Sequence, residues 1–355
     1  MRRLLFRGPA SLAALLLVAP LTGCYGTIAK RTEDFSVKAA PALVETRGVY
    51  SLVEATHARR KREDAIASYD SKAFDTVKLE ARFGSERDLK ARTAILDLLQ
   101  KYLVALGDES GGKPLADVDA PSKDAAKAIT TLAKNDLPAL VSAPTAAPSA
   151  TATVSTTGGV TTTTTTTTTA ATETNPIVSG VTSVSAGDAA EAIDVIGRVL
   201  IERKRAKALP GILESAEVPV RTLCDLLRRD IGDPQTGGLR YVLRTDYEGI
   251  ETAEDAAIRD HLSDFDHHYL EKYRAIDALY ALRAEQAASD AVLVQADKAL
   301  DAFETTHTAL VKSARQKRAP GFRALLAELT AEGEQLADME KTMGQAPSKP
   351  LGGGK

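Results

Sequence analysis

Residues 289–314 read SDAVLVQADKALDAFETTHTALVKSA. Val292, Ala296, Leu300, Phe303, His307, Leu310 and Ala314 recur there at steps of three and four, which places them on one stripe of an α-helix. Ser289 or Asp290 stands at its start as an N-cap, where a side-chain oxygen accepts an otherwise unpaired amide. On the N-terminal side a longer helix is expected from about 239 to 287. Its stripe is Leu239, Leu243, Tyr247, Ile250, Ile258, Leu262, Phe265, Tyr269, Tyr273, Ile276 and Tyr280. On the C-terminal side Pro320 opens a last helix, with Phe322, Leu329, Leu336 and Met343 seven residues apart. Short turns near 288 and 319 would make these three helices antiparallel neighbours.

The same reading extends toward the N-terminus. Asp188 caps a helix to about Ala208, with Ile193, Ile196 and Leu200 inward, and Pro210 starts another. Leu213, Val220, Leu223, Leu227 and Ile231 form its inner face, with an irregularity at Pro219, and Asp233-Pro234 and Gly237-Gly238 break the chain after it. Earlier still, a long helix is expected from about Glu33 or Ser36 to Tyr69, with Pro41 kinking it or setting a first turn. Val44, Val49, Leu52, Val53, Ala55 and Ile66 suggest its stripe. Phe74, Val77, Leu79 and Phe83 form a shorter segment of undecided type. A helix capped at Ser85 carries Leu89, Leu96, Leu99, Leu103 and Leu106 and stops at Gly107; Ser122 opens a short one ending before Pro138. With many amphipathic helices and no convincing strand partners, the fold class is all-α, an antiparallel helical bundle or bundles with coiled-coil-like spacing.

Between the two helical regions, 24–141 and 188–343, residues 142–187 are Ser, Thr, Ala, Pro and Gly, with nine consecutive threonines from Thr161 to Thr169. They offer neither large apolar side chains nor much charge, so they are expected to form a disordered linker or loop insertion, with an O-glycosylated stalk as the other reading. Residues 344–355 read as a flexible tail.

The start of the chain fixes a location. Arg2, Arg3 and Arg7 precede a brief apolar run from Leu12 to Val18, followed by Leu21-Thr22-Gly23-Cys24. That order is a secretory signal peptide, too short to span a membrane, which takes roughly 20 apolar residues. With cysteine closing it, the segment resembles the lipobox of bacterial lipoproteins, over about the first 25 residues only. The resemblance implies removal of residues 1–23 and lipidation of Cys24 by fatty acyl chains such as palmitate. Two or more such chains hold a protein stably on a membrane it does not cross. Tyr25 stands where Asp would retain many lipoproteins at the inner membrane, so the outer membrane is expected over the inner one, within the cell envelope and periplasm.

The formal net charge is −3, about −6 once Arg2, Arg3 and Arg7 are removed, and the charges are interspersed, so no nucleic-acid partner is expected. Arg59-Arg60-Lys61-Arg62 is the one dense basic run, followed at once by Glu63 and Asp64. It reads as a solvated face with local ion pairs, or more sharply as a contact for an anionic headgroup or glycan. If Cys24 is lipidated, Cys224 has no partner within the chain; its helical spacing with Val220, Leu227 and Ile231 points to a buried thiol, against an intermolecular bridge or reactive thiol.

No phosphate-binding Gly-rich loop, G-x-S-x-G, H-E-x-x-H or zinc spacing occurs, and no catalytic residue or cofactor is expected. One constellation carries possible chemistry. Asp264-Phe265-Asp266-His267 and Glu304-Thr305-Thr306-His307 are both acid-x-x-His, and an i, i+3 pair can bite one metal. About a turn near 287, His267 and His307 would reach the same height in an antiparallel hairpin, with Glu328 or Glu332 at a similar level. The arrangement partly resembles carboxylate di-metal bundles but has Asp in one motif and uses consecutive helices. Against it stands a plain packing layer with His307 hydrogen-bonded. His261, His267 and His268 read alternatively as a surface cluster titrating near neutral pH. The leading expectation is a membrane-anchored, non-enzymatic envelope lipoprotein that meets an unidentified protein partner; the alternative is a metal-binding helical protein using Asp264, His267, Glu304 and His307.

Overall fold

The computed structural model describes residues 10–69, 86–111, 155–157, 160–162, 186–202, 209–261, 269–316 and 321–344. Among them are seven helices: α1 (Ala10–Tyr69), α2 (Glu86–Ser110), α3 (Ala186–Glu202), α4 (Leu209–Ile231), α5 (Leu239–His261), α6 (Tyr269–Gln316) and α7 (Phe322–Gly344). The protein is an all-α helical bundle. Side chains of α1 are described from Thr27 onward. The segment Phe74–Phe83, the short helix opened by Ser122 and the residues after Gly344 lie outside the described residues.

The long helix α1 organises the bundle. Ile28, Thr32, Phe35, Ala39, Ala42, Thr46, Val49, Val53 and Thr56 are all buried. They alternate steps of four and three, the spacing of a helical seam. Three of the nine are threonines, yet none brings an unpaired hydroxyl into the core. Thr32, Thr46 and Thr56 each donate to the carbonyl four residues back, at 3.0, 2.7 and 3.1 Å. The expected stripe is therefore corrected: Val44 and Ile66 lie 51 % and 61 % exposed. The helix also runs unbroken through Pro41, which sits on the exposed side.

α1 packs against α2, α5, α6 and α7, and α3 packs on α4 and α2. One hydrophobic core therefore runs from Ile28 to Leu336, so the two helical regions of the sequence share it. α2 lies antiparallel to α1, with Arg47 paired to Asp97 at 2.6 Å near one end and Ser36 against Gly107 near the other. Gly107 is not a stop, since α2 continues to Ser110; a Cβ there would meet the Ser36 hydroxyl at 2.8 Å, so glycine serves close helix approach. α4 ends at a left-handed glycine, Gly232 (φ 68°), whose amide bonds the Arg228 carbonyl at 3.0 Å. A tight turn follows, in which Asp233 pairs with Gly237 and Gly238 (φ 86°) leads into α5.

The largest departure from expectation is at 288. Rather than two helices joined by a turn there, α6 runs unbroken from Tyr269 to Gln316. Ala281, Ala284, Gln286, Ala287 and Ala288 are good helix formers, so nothing local stops the helix. The two supposed capping residues have other work: Ser289 is buried against the Tyr247 hydroxyl at 3.0 Å, and Asp290 accepts from Nε and Nη2 of Arg240 at 2.7 and 2.9 Å. The helix begun at Leu239 ends at His261 instead, and residues 262–268 lie outside the described residues. α6 and α7 are antiparallel, stitched by Thr306 to the Leu325 carbonyl, Gln295 to Glu332 and Ser289 to Met343.

Within the Thr-rich tract, Ser155–Thr157 and Val160–Thr162 pair as a two-stranded antiparallel ribbon, Thr157 opposite Val160. The strand partner sought elsewhere in the chain is the adjoining strand, with Gly158-Gly159 between them in sequence, a favoured hairpin dipeptide. The rest of 142–185 lies outside the described residues.

Candidate functional site

His307 sits at the centre of the bundle. It is fully buried, its Nε2 2.9 Å from the Tyr102 hydroxyl and its ring 5.8 Å from that of Phe35, which stacks tilted on Phe303 at 5.4 Å. Burial alone pulls its pKa down to about 3, so the imidazole is neutral at any physiological pH. Nδ1 is buried without a partner among the described residues. Glu304, one turn away, faces α4 instead, 3.4 Å from Arg221, with its carboxyl pKa raised by partial burial and by Asp225. The two halves of this acid-x-x-His motif thus point at different neighbours.

The other motif cannot be matched to it by the expected counting. Asp264 and His267 lie outside the described residues. The hairpin turn near 287 that would have set His267 level with His307 is absent, because Tyr269 and His307 belong to one helix. Nearly forty residues of α-helix separate those two, roughly 57 Å at about 1.5 Å per residue. Glu332, expected at the same level, instead receives the Gln295 amide. Among the described residues no group of three His, Cys, Asp or Glu side chains is placed to hold a metal ion. His261 closes α5, and His267 and His268 lie outside the described residues, so the suggested histidine cluster has no described geometry.

The basic run has a structural use. Arg59 bridges Glu254 on α5 and Glu285 on α6, both at 3.1 Å, and Arg60 pairs with Asp64 one turn on at 2.8 Å. Gly249 lets the Arg60 guanidinium lie directly on the α5 backbone, where a Cβ would overlap it at 0.9 Å. Beside them His57 faces both oxygens of Asp246 at 3.2 and 3.0 Å. Cys224 is fully buried, and desolvation, with Glu304 and Asp225 nearby, holds its thiol pKa well above the ordinary value. That is an inert thiol rather than a nucleophile.

Two polar clusters escaped the sequence reading. Arg92 and Asp230, 4 % and 3 % exposed, form an ion pair at 2.5 Å between α2 and α4. The buried Tyr50 hydroxyl lies against the same carboxylate, and burial and that negative charge push its pKa up. Second, Glu340 on α7 lies over Gly48 of α1, where a Cβ would sit 2.5 Å from either carboxylate oxygen. Half-buried beside Glu45, it has its pKa pushed up to about 7 by desolvation and by that second carboxyl. Neither pair has a sequence signature, since the partners lie on different helices.

The most exposed apolar surface is on the first half of α6. Tyr269, Tyr273, Ile276 and Tyr280 were expected inward; they are 76, 61, 40 and 68 % exposed, and Leu270 beside them is 66 % exposed. The inner side of this stretch is Ala275, Ala278, Leu279 and Leu282, all partly or fully buried. α6 here has two apolar faces, and the bundle covers one. Tyrosine suits such a surface, because its ring is apolar and its hydroxyl tolerates water. The other described helices leave only scattered large apolar residues outside, Val37, Val44, Ile66, Val104 and Val218.

No known protein family, curated protein or solved structure matches this chain. No helix among the described residues is long and apolar enough to cross a membrane.

Proposed function

We propose that this chain is a membrane-anchored helical lipoprotein of a bacterial envelope, held through Cys24, whose bundle presents the outer face of α6 to a protein partner. The observation that carries the interaction role is the exposed row Tyr269, Tyr273, Ile276 and Tyr280, four large side chains on one helical face with no cover from the described residues. Contiguous apolar patches of this kind mark interaction sites on soluble domains. The anchoring role rests on Leu21-Thr22-Gly23-Cys24 after a short apolar run and three arginines. The His307 layer supports a scaffold reading: its one chemistry-bearing side chain is neutral, buried and locked onto Tyr102.

Fractionation of cells making the Cys24→Ser variant tests the anchor. The variant is expected to leave the membrane fraction or to accumulate as an uncleaved precursor. Normal processing with full membrane retention would refute it. For the docking face, Tyr273→Asp and Tyr280→Asp together should abolish capture of the partner while leaving the helical circular dichroism unchanged.

A further inference from the structure

We infer that the occupant of the exposed α6 face is a second copy of this chain, its own α6 laid antiparallel across the same stretch. This rests on the reading of that face as a docking surface and names what docks. The first support is where the cover stops. α7 runs antiparallel along α6 from Leu325 beside Thr306 to Met343 beside Ser289, and ends at Gly344. Among the described residues, the outer face of 269–288 has no cover, and this bare stretch begins where α7 ends. A helix continuing in the direction of α7 would complete the layer, and an antiparallel α6 has that direction.

The second support is self-complementarity. The exposed face of 269–288 carries large side chains in its first half and small ones in its second: Ala284 and Ala287, on the same face as the tyrosine row, are both exposed. Two copies related by a two-fold axis near residue 278 set Tyr269 over Ala287, Tyr273 over Ala284 and Ile276 over Tyr280, each pair occurring twice. Large side chains over alanines let two helices interdigitate closely, and a surface that fits its own copy this way is what a two-fold contact requires. Charge agrees. Asp277, on the flank of the row, comes opposite the Tyr280 hydroxyl. A parallel pairing would instead stack tyrosine on tyrosine and alanine on alanine.

The third support is size. Aromatic side chains bury about 150–250 Å² each, so six tyrosines about two-thirds exposed contribute roughly 600–1,000 Å². With Leu270 and Ile276 of both copies added, the contact reaches about 1,000–1,200 Å², the lower edge of specific interfaces. Such a dimer is weak in dilute solution and favoured when both copies are confined to one surface.

Cysteine cross-linking of the full chain in native membranes tests this. Single variants Tyr269→Cys, Ala287→Cys and Tyr280→Cys are made; the native Cys224 is buried and does not compete. On mild oxidation, cells making Tyr269→Cys and Ala287→Cys chains together should give a disulfide-linked dimer, and either alone should not. Tyr280→Cys, close to the axis, should link to itself. A polar thiol reagent should label position 273, as Tyr273→Cys, at least tenfold more slowly in membranes than in dissociating detergent. Linking by Tyr269→Cys alone would mean a parallel pairing and overturn the assignment. Protection without any linking would mean that another segment or protein covers the face, overturning the second copy but not the docking surface. Free labelling without linking would overturn both.

Discussion

The two halves of α6 make a controlled comparison. Both carry large apolar side chains at steps of three and four on one continuous helix. In the second half Val292, Ala296, Leu300, Phe303, His307 and Leu310 are at most 1 % exposed; in the first half Tyr269, Tyr273 and Tyr280 are more than 60 % exposed. The second half lies in a trough made by α1, α4 and α7, and the first half extends past the end of α7. Helical periodicity reports that a face is apolar. It does not report whether the same chain covers it.

If that contrast is right, the energetic consequences of substitution should differ sharply along one helix. The largest effect is expected from Phe303→Ala, which removes a fully buried ring stacked on Phe35. It should cost about 3–5 kcal/mol in chemical denaturation. A cost below about 1 kcal/mol would mean that the covered half is not packed as described.

Next, His307→Ala should cost about 2–3 kcal/mol, since it leaves a cavity and strands the buried Tyr102 hydroxyl. His307 also sets a pH slope. Its folded-state pKa, about 3, lies below the ordinary histidine value of 6.5, so the unfolded chain binds the extra proton in that window. This contribution to stability is complete above about pH 6.5 and is lost as the pH falls toward 3. Replacement by Gln should flatten the dependence of Tm on pH across that range.

Glu340 works in the opposite sense. Its folded-state pKa is raised to about 7 from an ordinary 4.5, so the folded protein holds the extra proton and stability declines as pH rises from 4.5 through 7. Glu340→Gln should raise Tm at pH 8 and leave it nearly unchanged at pH 4. An equal shift at both values would show that the carboxyl pair is not responsible. The smallest effect is expected in the uncovered half. Tyr273→Ser should change the stability of the isolated chain by no more than about 0.5 kcal/mol. A loss comparable to that of Phe303→Ala would show that the chain itself covers this face.

Much of the bundle was legible in the sequence. The stripes of α4, α7 and the second half of α6 were read correctly because Leu, Ile, Val and Phe carry them. α1 was harder, because Thr32, Thr46 and Thr56 sit in its seam. A threonine that donates back to its own helix presents a methyl to the core, and a hydropathy pattern scores it as polar. The false turn at 288 came from reading Ser289 and Asp290 as local caps, whereas Tyr247 and Arg240 from α5 engage them. The metal reading came from the two acid-x-x-His motifs, and the shared level it needed depended on that turn. Arg92 with Asp230, and Glu45 with Glu340, had no local signal, since charged residues are ordinarily at the surface and only the fold brings these together. The exposed tyrosines were found in the sequence but assigned to the wrong side.

The length of α1 has a mechanical consequence. Cys24 and Tyr69 lie on this one helix, which passes beside α5 and α6 at Arg59. At about 1.5 Å per residue the two ends stand roughly 68 Å apart. A chain tethered at Cys24 would therefore carry a built-in standoff, with α1 as its mast and the tyrosine face of α6 displayed near the far end, well beyond the reach of lipid headgroups.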